Sequence, residues 1–516
     1  MRTSQRLRST LLYLSLCFFV AFGLVGPSTA RGGDSSAKVY VILWFDTEDY
    51  ILPASDDAAL RVAELLTKEN VQATFKVVGE KARTLERRGR KDVIEALKKH
   101  EIGYHANWHS VQPTPAMYLS NLGWDEGVTE FDRREKPGFD DVKRIFGVAP
   151  SCYGQPGSSW GPQSFGTMRK WGMQVYLDAG SHVRLNDRPH YYCGILTLYK
   201  LAHTIRADLA KPDLKEAEER FQEARRELLE EGGGVVSIVY HPCEFVHKQF
   251  WDGVNFSKGA NPPREQWKLP PAKTPEESRV AFQVLENYVQ FMKRFPEVQF
   301  VTASQAAQIY QDKARSRNFA ARDIVEIARS VSDNVTFQER GDYALSAAEV
   351  FSLLNDHVAR MAAQKDTNGG GKPHSPYGPT GRMALLSRPV TTDWSQFTRT
   401  ALDVADFLQK QERIPSTVWL GSVPVPPEAY LQALARVNID MAQRAANKGT
   451  GHPETIEVAP AKLAAAQYVA EDGPNLWGWV IFPEGFRAPG MMALAKQQAW
   501  TIKPALIDRS RNETPK

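Results

Sequence analysis

Charge of one sign is scarce in this 516-residue chain: 64 Lys and Arg stand against 60 Asp and Glu, a formal net charge of +4. Residues 1–30 hold Arg2, Arg6 and Arg8 and no acid, so the balance falls to about +1 without them. That excludes a polyanion-steering surface, and nucleic acid is not an expected partner. Cysteine is scarce too, four in all, which excludes a disulfide-dense scaffold. Cys17 lies in an apolar run with no small residue before it, so lipid attachment there is not expected. Cys152, Cys193 and Cys243 allow at most one disulfide, in any of three pairings, and nothing else singles out a nucleophilic thiol. The apolar run Leu11–Val25 is short for a membrane span. It follows a basic start and precedes Ser28-Thr29-Ala30, the pattern of a secretory signal cleaved before Arg31; the alternative is an uncleaved anchor. The expected location is secreted, periplasmic or cell-surface, with no stable membrane span after cleavage. There is no convincing tandem repeat.

What is present is an alternation of short β-rich runs and amphipathic segments. Val39–Phe45, Val71–Val78, Glu101–His105, Val175–Leu177, Val235–Tyr240 and Val298–Thr302 read as strands, with Asp56–Glu69, Lys91–His100, Lys215–Leu229 and Glu276–Phe295 as helices. The alternation predicts an α/β fold with parallel strands and crossover helices over residues 38–313. Asp46, His105, Asp178 and His241 then fall at the C-terminal ends of strands, the face on which barrel enzymes carry their active sites. A second, mainly helical region is predicted over 314–508. Its helices are Ala320–Val331, Ser346–Met361, Phe397–Gln411 and Pro427–Ala445, with a Gly/Pro/Ser-rich loop at Asp366–Arg382 and a polar tail from Arg509.

Two segments carry the chemistry. His105-Ala-Asn-Trp-His109 sets two imidazoles four residues apart, able to converge if the segment turns helically, and Asp46-Thr-Glu48-Asp49 places carboxylates at the end of an apolar run. Imidazole plus carboxylate is the ligand set of catalytic divalent-metal sites. Strand alternation would put Asp46 and Glu48 on one face; the plainer alternative is an acidic loop capping the following helix.

In this order, with Ala73-Thr74-Phe75 between them, these segments resemble the first two motifs of the polysaccharide deacetylases, the carbohydrate esterases with a NodB homology domain. The resemblance spans about 38–313 and implies an irregular (β/α) barrel. It implies Asp46 as general base, and His105 and His109 as metal ligands with either Glu48 or Asp49. The metal is expected to be Zn2+, with Co2+ or Ni2+ as alternatives. The strand ending in His241-Pro242-Cys243-Glu244 matches the fifth motif and implies His241 as general acid. Asp178 stands where an aspartate supports that histidine, with His182 and Asp187 nearby. The third motif departs from the pattern: Tyr153-Gly-Gln155-Pro-Gly has the Pro-Gly turn, and Gln155 provides no charge where an arginine orients the base. The departure leaves open how Asp46 is held. Trp108, Tyr153 and Trp160 are candidates to stack on sugar rings, against the ordinary fate of aromatics in the core.

The activity implied is hydrolytic removal of N-acetyl groups from a polysaccharide or peptidoglycan-like polymer, with water activated at the metal as nucleophile. A catalytically weak glycan- or wall-binding protein and a small-molecule amidohydrolase are the alternatives. Residues 384–445, around Arg413-Ile-Pro-Ser-Thr-Val418, resemble more faintly the pseudomurein-binding repeat, which implies cell-wall binding; a plain helical domain fits the same residues. Oligomeric state is not legible.

Overall fold

The computed structural model describes residues 37–363, 371–447 and 451–508. The expected signal (1–30), part of the 366–382 loop and the tail from Arg509 lie outside the described residues.

The centre is a strand buried along its whole length, β1 (Val39–Thr47). Its near-continuous apolar run suits a strand covered on both faces. Crossover helices return the chain to parallel neighbours: α1 (Pro53–Lys68) leads to β2 (Thr74–Val77), then α2 (Gly79–Arg87) and α3 (Lys91–Leu97) lead to β3 (Glu101–Tyr104). The sheet continues through β4 (Cys152–Tyr153), β5 (Val175–Leu177), β6 (His190–Tyr192), β7 (Ile195–Leu198), β8 (Gly234–Tyr240) and β9 (Val298–Val301). Its order is β6-β7-β5-β4-β3-β2-β1-β8, with β9 also on β1 and a last strand, Lys503–Pro504, antiparallel to β6. The α/β expectation holds. The sheet is an open half-barrel with β8 and Lys503–Pro504 at its ends, mixed in direction because β6 runs against β7. The chemistry-bearing residues lie at or just after the C-terminal ends of β1, β3, β5 and β8, where parallel strands leave a crevice.

Helices Ala347–Ala362, Trp394–Gln411 and Pro427–Ala446 pack around Phe351, Leu354, Phe397, Tyr430 and Leu434 as a core of their own, interleaved with short hairpins. The chain then returns to the first region. Ala465, Val469, Met491, Ala495 and Ile502 are buried in the core built on β1–β5, and the described residues from Ala37 to Asp508 form one compact unit. Each large apolar side chain so buried contributes roughly 1.5–3 kcal/mol, against a total stability on the order of 5–15 kcal/mol. A chain ended after Leu463 is therefore expected to lose cooperative unfolding, read by near-UV circular dichroism and thermal melting; a native-like melt would contradict it.

All three described cysteines are free and buried, so none of the possible disulfides forms.

Candidate metal centre and cleft

Alternation along the end of β1 turns Asp46 and Glu48 to the same crevice, both almost fully buried. Asp49 faces the other way and serves the start of α1. Its Oδ1 accepts from the backbone N–H groups of Ile51 (2.9 Å) and Leu52 (3.3 Å), and its Oδ2 from Ser55 Oγ (2.6 Å). Asp49 thus fixes the turn that leads into α1 without capping the helix, and the carboxylate beside the imidazoles is Glu48.

His105 follows β3 directly. Its Nδ1–H donates to the Gly154 carbonyl (2.9 Å), which leaves the Nε2 lone pair toward Glu48 Oε2, 3.6 Å away. His109 is brought round by a turn with φ of 58°, not by a helix, and its Nδ1 meets Ser110 Oγ at 2.6 Å. Its Nε2 lies 2.8 Å from Glu48 Oε2. Ligand atoms of Glu48, His105 and His109 all lie within 4.8 Å of one another. The donor set fits a divalent metal: two imidazoles and one carboxylate, with positions left over for water and substrate. The buried His109 Nε2 makes no hydrogen bond of acceptable geometry, as fits a ligand atom.

The residue missed in the sequence is Lys76. It projects from β2 with no exposure, its Nζ 2.8 Å from Asp46 Oδ1 and 3.3 Å from Asp178 Oδ2, over the Trp44 ring at 4.2 Å. Gly154 makes the space, because a Cβ there would collide with Lys76 Nζ, the Leu177 carbonyl and Asp178 Oδ2. Burial by itself would raise the Asp46 carboxyl, but the fields of His105, Lys76 and His241 outweigh it and hold the group below its usual range. Asp178 goes the other way: burial and the Asp46 charge, opposed by Lys76, push it up to about 6.

His241 follows β8. Its Nε2 lies 3.6 Å from Asp46 Oδ2, and its Nδ1 lies 2.7 Å from Glu244 Oε1. Glu244 in turn pairs with Arg206. The carboxylate supporting His241 is thus Glu244, three residues on, while Asp178 serves Lys76. Burial would lower the imidazole, but the Glu244 hydrogen bond and the charges of Glu48, Glu244 and Asp46 raise it to about 9. The folded value exceeds the ordinary 6.5, so the pairing stabilises the fold fully below about pH 6.5 and fades as pH rises through about 9. In the metal-free protein, an NMR titration is expected to find His241 near 9 and to find it lowered in Glu244→Gln; an ordinary value in both would contradict the pairing.

The crevice opens into a cleft of about 860 Å³ lined by Asp46, Glu48, His105, His109, Gln155, Asp178 and His241. The expected aromatics are elsewhere. Trp108 is exposed beneath Arg83, outside this cleft, while Tyr153 and Trp160 are core residues. The aromatic walls are Trp44, Phe250 and Trp479, and the segment Asn475–Val480 closes one side. Trp479 is clamped there: its backbone N–H donates to Ser158 Oγ (3.1 Å), its indole N–H to Asp252 Oδ2 (2.7 Å), and its ring meets His109 at 5.2 Å. The dense aromatic spacing of Leu476-Trp-Gly-Trp479 was the available signal.

No protein-family model matches the chain, and no match is found among curated proteins. Solved structures similar in part include a Mycobacterium smegmatis protein assigned as a polysaccharide deacetylase (15% identity, 53% of this chain and 91% of that one, TM-score 0.35). Puue allantoinase (13% identity, 53% and 91%, TM-score 0.34) and a mutant of peptidoglycan deacetylase PdaC from Bacillus subtilis (15% identity, 58% and 99%, TM-score 0.29) are also similar. The pseudomurein-binding-repeat reading of 384–445 gains no support from these comparisons. Likeness at such TM-scores carries no functional argument, which rests on the site's own chemistry.

Proposed function

We propose that this protein is an exported, metal-dependent hydrolase that removes N-acetyl groups from a glycan or cell-wall polymer. The observation that carries the reading is the pairing of a carboxylate held ionised, Asp46, with an imidazole held protonated, His241, 3.6 Å apart beside three convergent ligands. Glu48, His105 and His109 would hold the ion, with Zn2+ the first choice for this donor set and Co2+ or Ni2+ the alternatives. When bound, such an ion lowers the pKa of water and polarises an acyl oxygen.

This chain's residues handle the protons. Asp46 Oδ2, on the side of the carboxylate away from Lys76, accepts the proton that the attacking water gives up as the new C–O bond forms. Lys76 keeps Asp46 charged and fixed. The His241 Nε2–H passes its proton to the nitrogen of the breaking C–N bond, so that acetate and a free amine leave, while Glu244 fixes the ring through Nδ1. Phe250 and Trp479 supply apolar faces for a sugar ring.

The test is acetate release from N-acetylglucosamine oligomers by the metal-loaded full chain. His241→Ala is expected to lower kcat by about 10²–10⁴-fold, the usual worth of a general acid. Turnover confined to small soluble amides would move the reading to an amidohydrolase, and saturable polymer binding without acetate release to a binding protein.

A further inference from the structure

One wall of the cleft holds a group for which the proton transfers have no use. His182 lines the cleft yet is almost fully buried, and its Nε2 has no hydrogen-bond partner among the described residues. Buried polar atoms are nearly always paired, so an unpaired one on a cleft wall points to a ligand. The hydrogen bonds around it decide what that atom offers. Gln155 Nε2 donates to the Gly157 carbonyl (3.1 Å), which can only accept, so the orientation of the amide is fixed. The same Nε2 donates to Tyr199 Oη (3.0 Å), and Tyr176 donates to Gln155 Oε1. The Tyr199 hydroxyl, 2.6 Å from His182 Nδ1, is then left to donate to that nitrogen. An imidazole that accepts at Nδ1 carries its proton at Nε2. Burial pushes His182 down to about 3, so the ring is neutral and that N–H is its one donor.

The rest of the ring is occupied. Trp160 is stacked over it (4.9 Å, 14°) and Trp477 packs alongside at 5.0 Å. The chain segment that brings Trp477 is tied to the same loop by Ala470 N–H to the His182 carbonyl (2.9 Å). We infer that the cleft contains a substrate-binding subsite in which the His182 Nε2–H donates to a neutral oxygen of the substrate, a sugar hydroxyl or amide carbonyl, against a wall supplied by Asn475–Trp479. A neutral donor matches an uncharged polyhydroxylated ligand and gives an anion no ion pair. The segment Asn475–Trp479 thereby belongs to the substrate site.

The inference rests on the hydrolase reading, and the test separates the two. Full-length metal-loaded protein is compared with His182→Leu, which has no donor; His182→Gln, which keeps one; and Tyr199→Phe, which releases the tautomer. His182→Leu is expected to raise KM for an N-acetylglucosamine oligomer about 5–10-fold, the worth of one neutral hydrogen bond. In that variant kcat falls by less than KM rises and metal content is kept. His182→Gln should stay nearer wild type and Tyr199→Phe should fall between. The imidazole ¹⁵N spectrum of the wild type is expected to show a protonated Nε2 whose resonance moves when the oligomer is added. An unchanged KM in His182→Leu, a proton on Nδ1, or a resonance that the oligomer leaves in place would each overturn the subsite. Movement of that resonance without acetate release would support the subsite and remove the deacetylase reading.

Discussion

Lys76→Met is expected to cost about 10²–10³-fold in kcat while leaving metal content near wild type. A fully buried lysine in an inner strand is rare unless paired, and this one has two carboxylates within 3.3 Å. Removing it leaves Asp178 without a cation and Asp46 with only the neighbouring imidazoles, so one of the two takes up a proton. If that is Asp46, the base is lost; if it is Asp178, Asp46 still loses the contact that fixes its Oδ1. Breaking a buried pair also costs about 3–5 kcal/mol of stability, so the melting temperature falls, and kcat is to be measured well below it. Lys76→Met with Asp178→Asn removes one positive and one negative charge together and should recover stability but not kcat. Gly154→Ala, which pushes a methyl group into the ammonium, should lower kcat in the same direction. Wild-type kcat in folded Lys76→Met would remove the lysine from the account.

His105→Ala combined with His109→Ala is expected to abolish metal retention and lower acetate release by about 10³-fold or more, the several kcal/mol that an ion contributes to charge stabilisation. The three ligand atoms form one cluster, and Glu48 alone is a weak monodentate site. Asp49→Asn should behave differently. Its oxygens hold the turn before α1 through Ile51, Leu52 and Ser55, so the variant loses stability there while the protein still binds metal. Loss of metal on Asp49→Asn with retention on Glu48→Gln would reverse the assignment of the carboxylate ligand.

These two expectations also mark where the sequence was legible. The buried run of β1, the strand endings before His105 and His241, and the helices between them are periodic, local features, and the elements stand close to where the pattern puts them. The spacing of His105 and His109 is local too, although a left-handed turn, not a helix, makes them converge. The choice between Glu48 and Asp49 was not legible, because adjacent acids differ only in which side of a turn they face. Lys76 was hidden for a related reason: in Thr74-Phe-Lys-Val77 a lysine reads as a solvent-facing position, and only three-dimensional proximity to Asp46 and Asp178 shows otherwise. Asp178 was expected beside His241, but Glu244, a single turn away, takes that place, and Asp178 meets Lys76 across the sheet. The wall from Asn475 to Val480 lies more than 200 residues beyond His241, a separation that leaves no periodic trace.

The most direct test of the central claim is acetate release from N-acetylglucosamine oligomers by chelator-stripped full-length protein, titrated with Zn2+ and, separately, with Co2+ and Ni2+. The account predicts negligible release without metal and a rise that saturates near one ion per chain, matching the single Glu48–His105–His109 cluster among the described residues. Acetate release unaffected by stripping, or stoichiometric metal binding with no hydrolysis of any N-acetylated glycan, would contradict it.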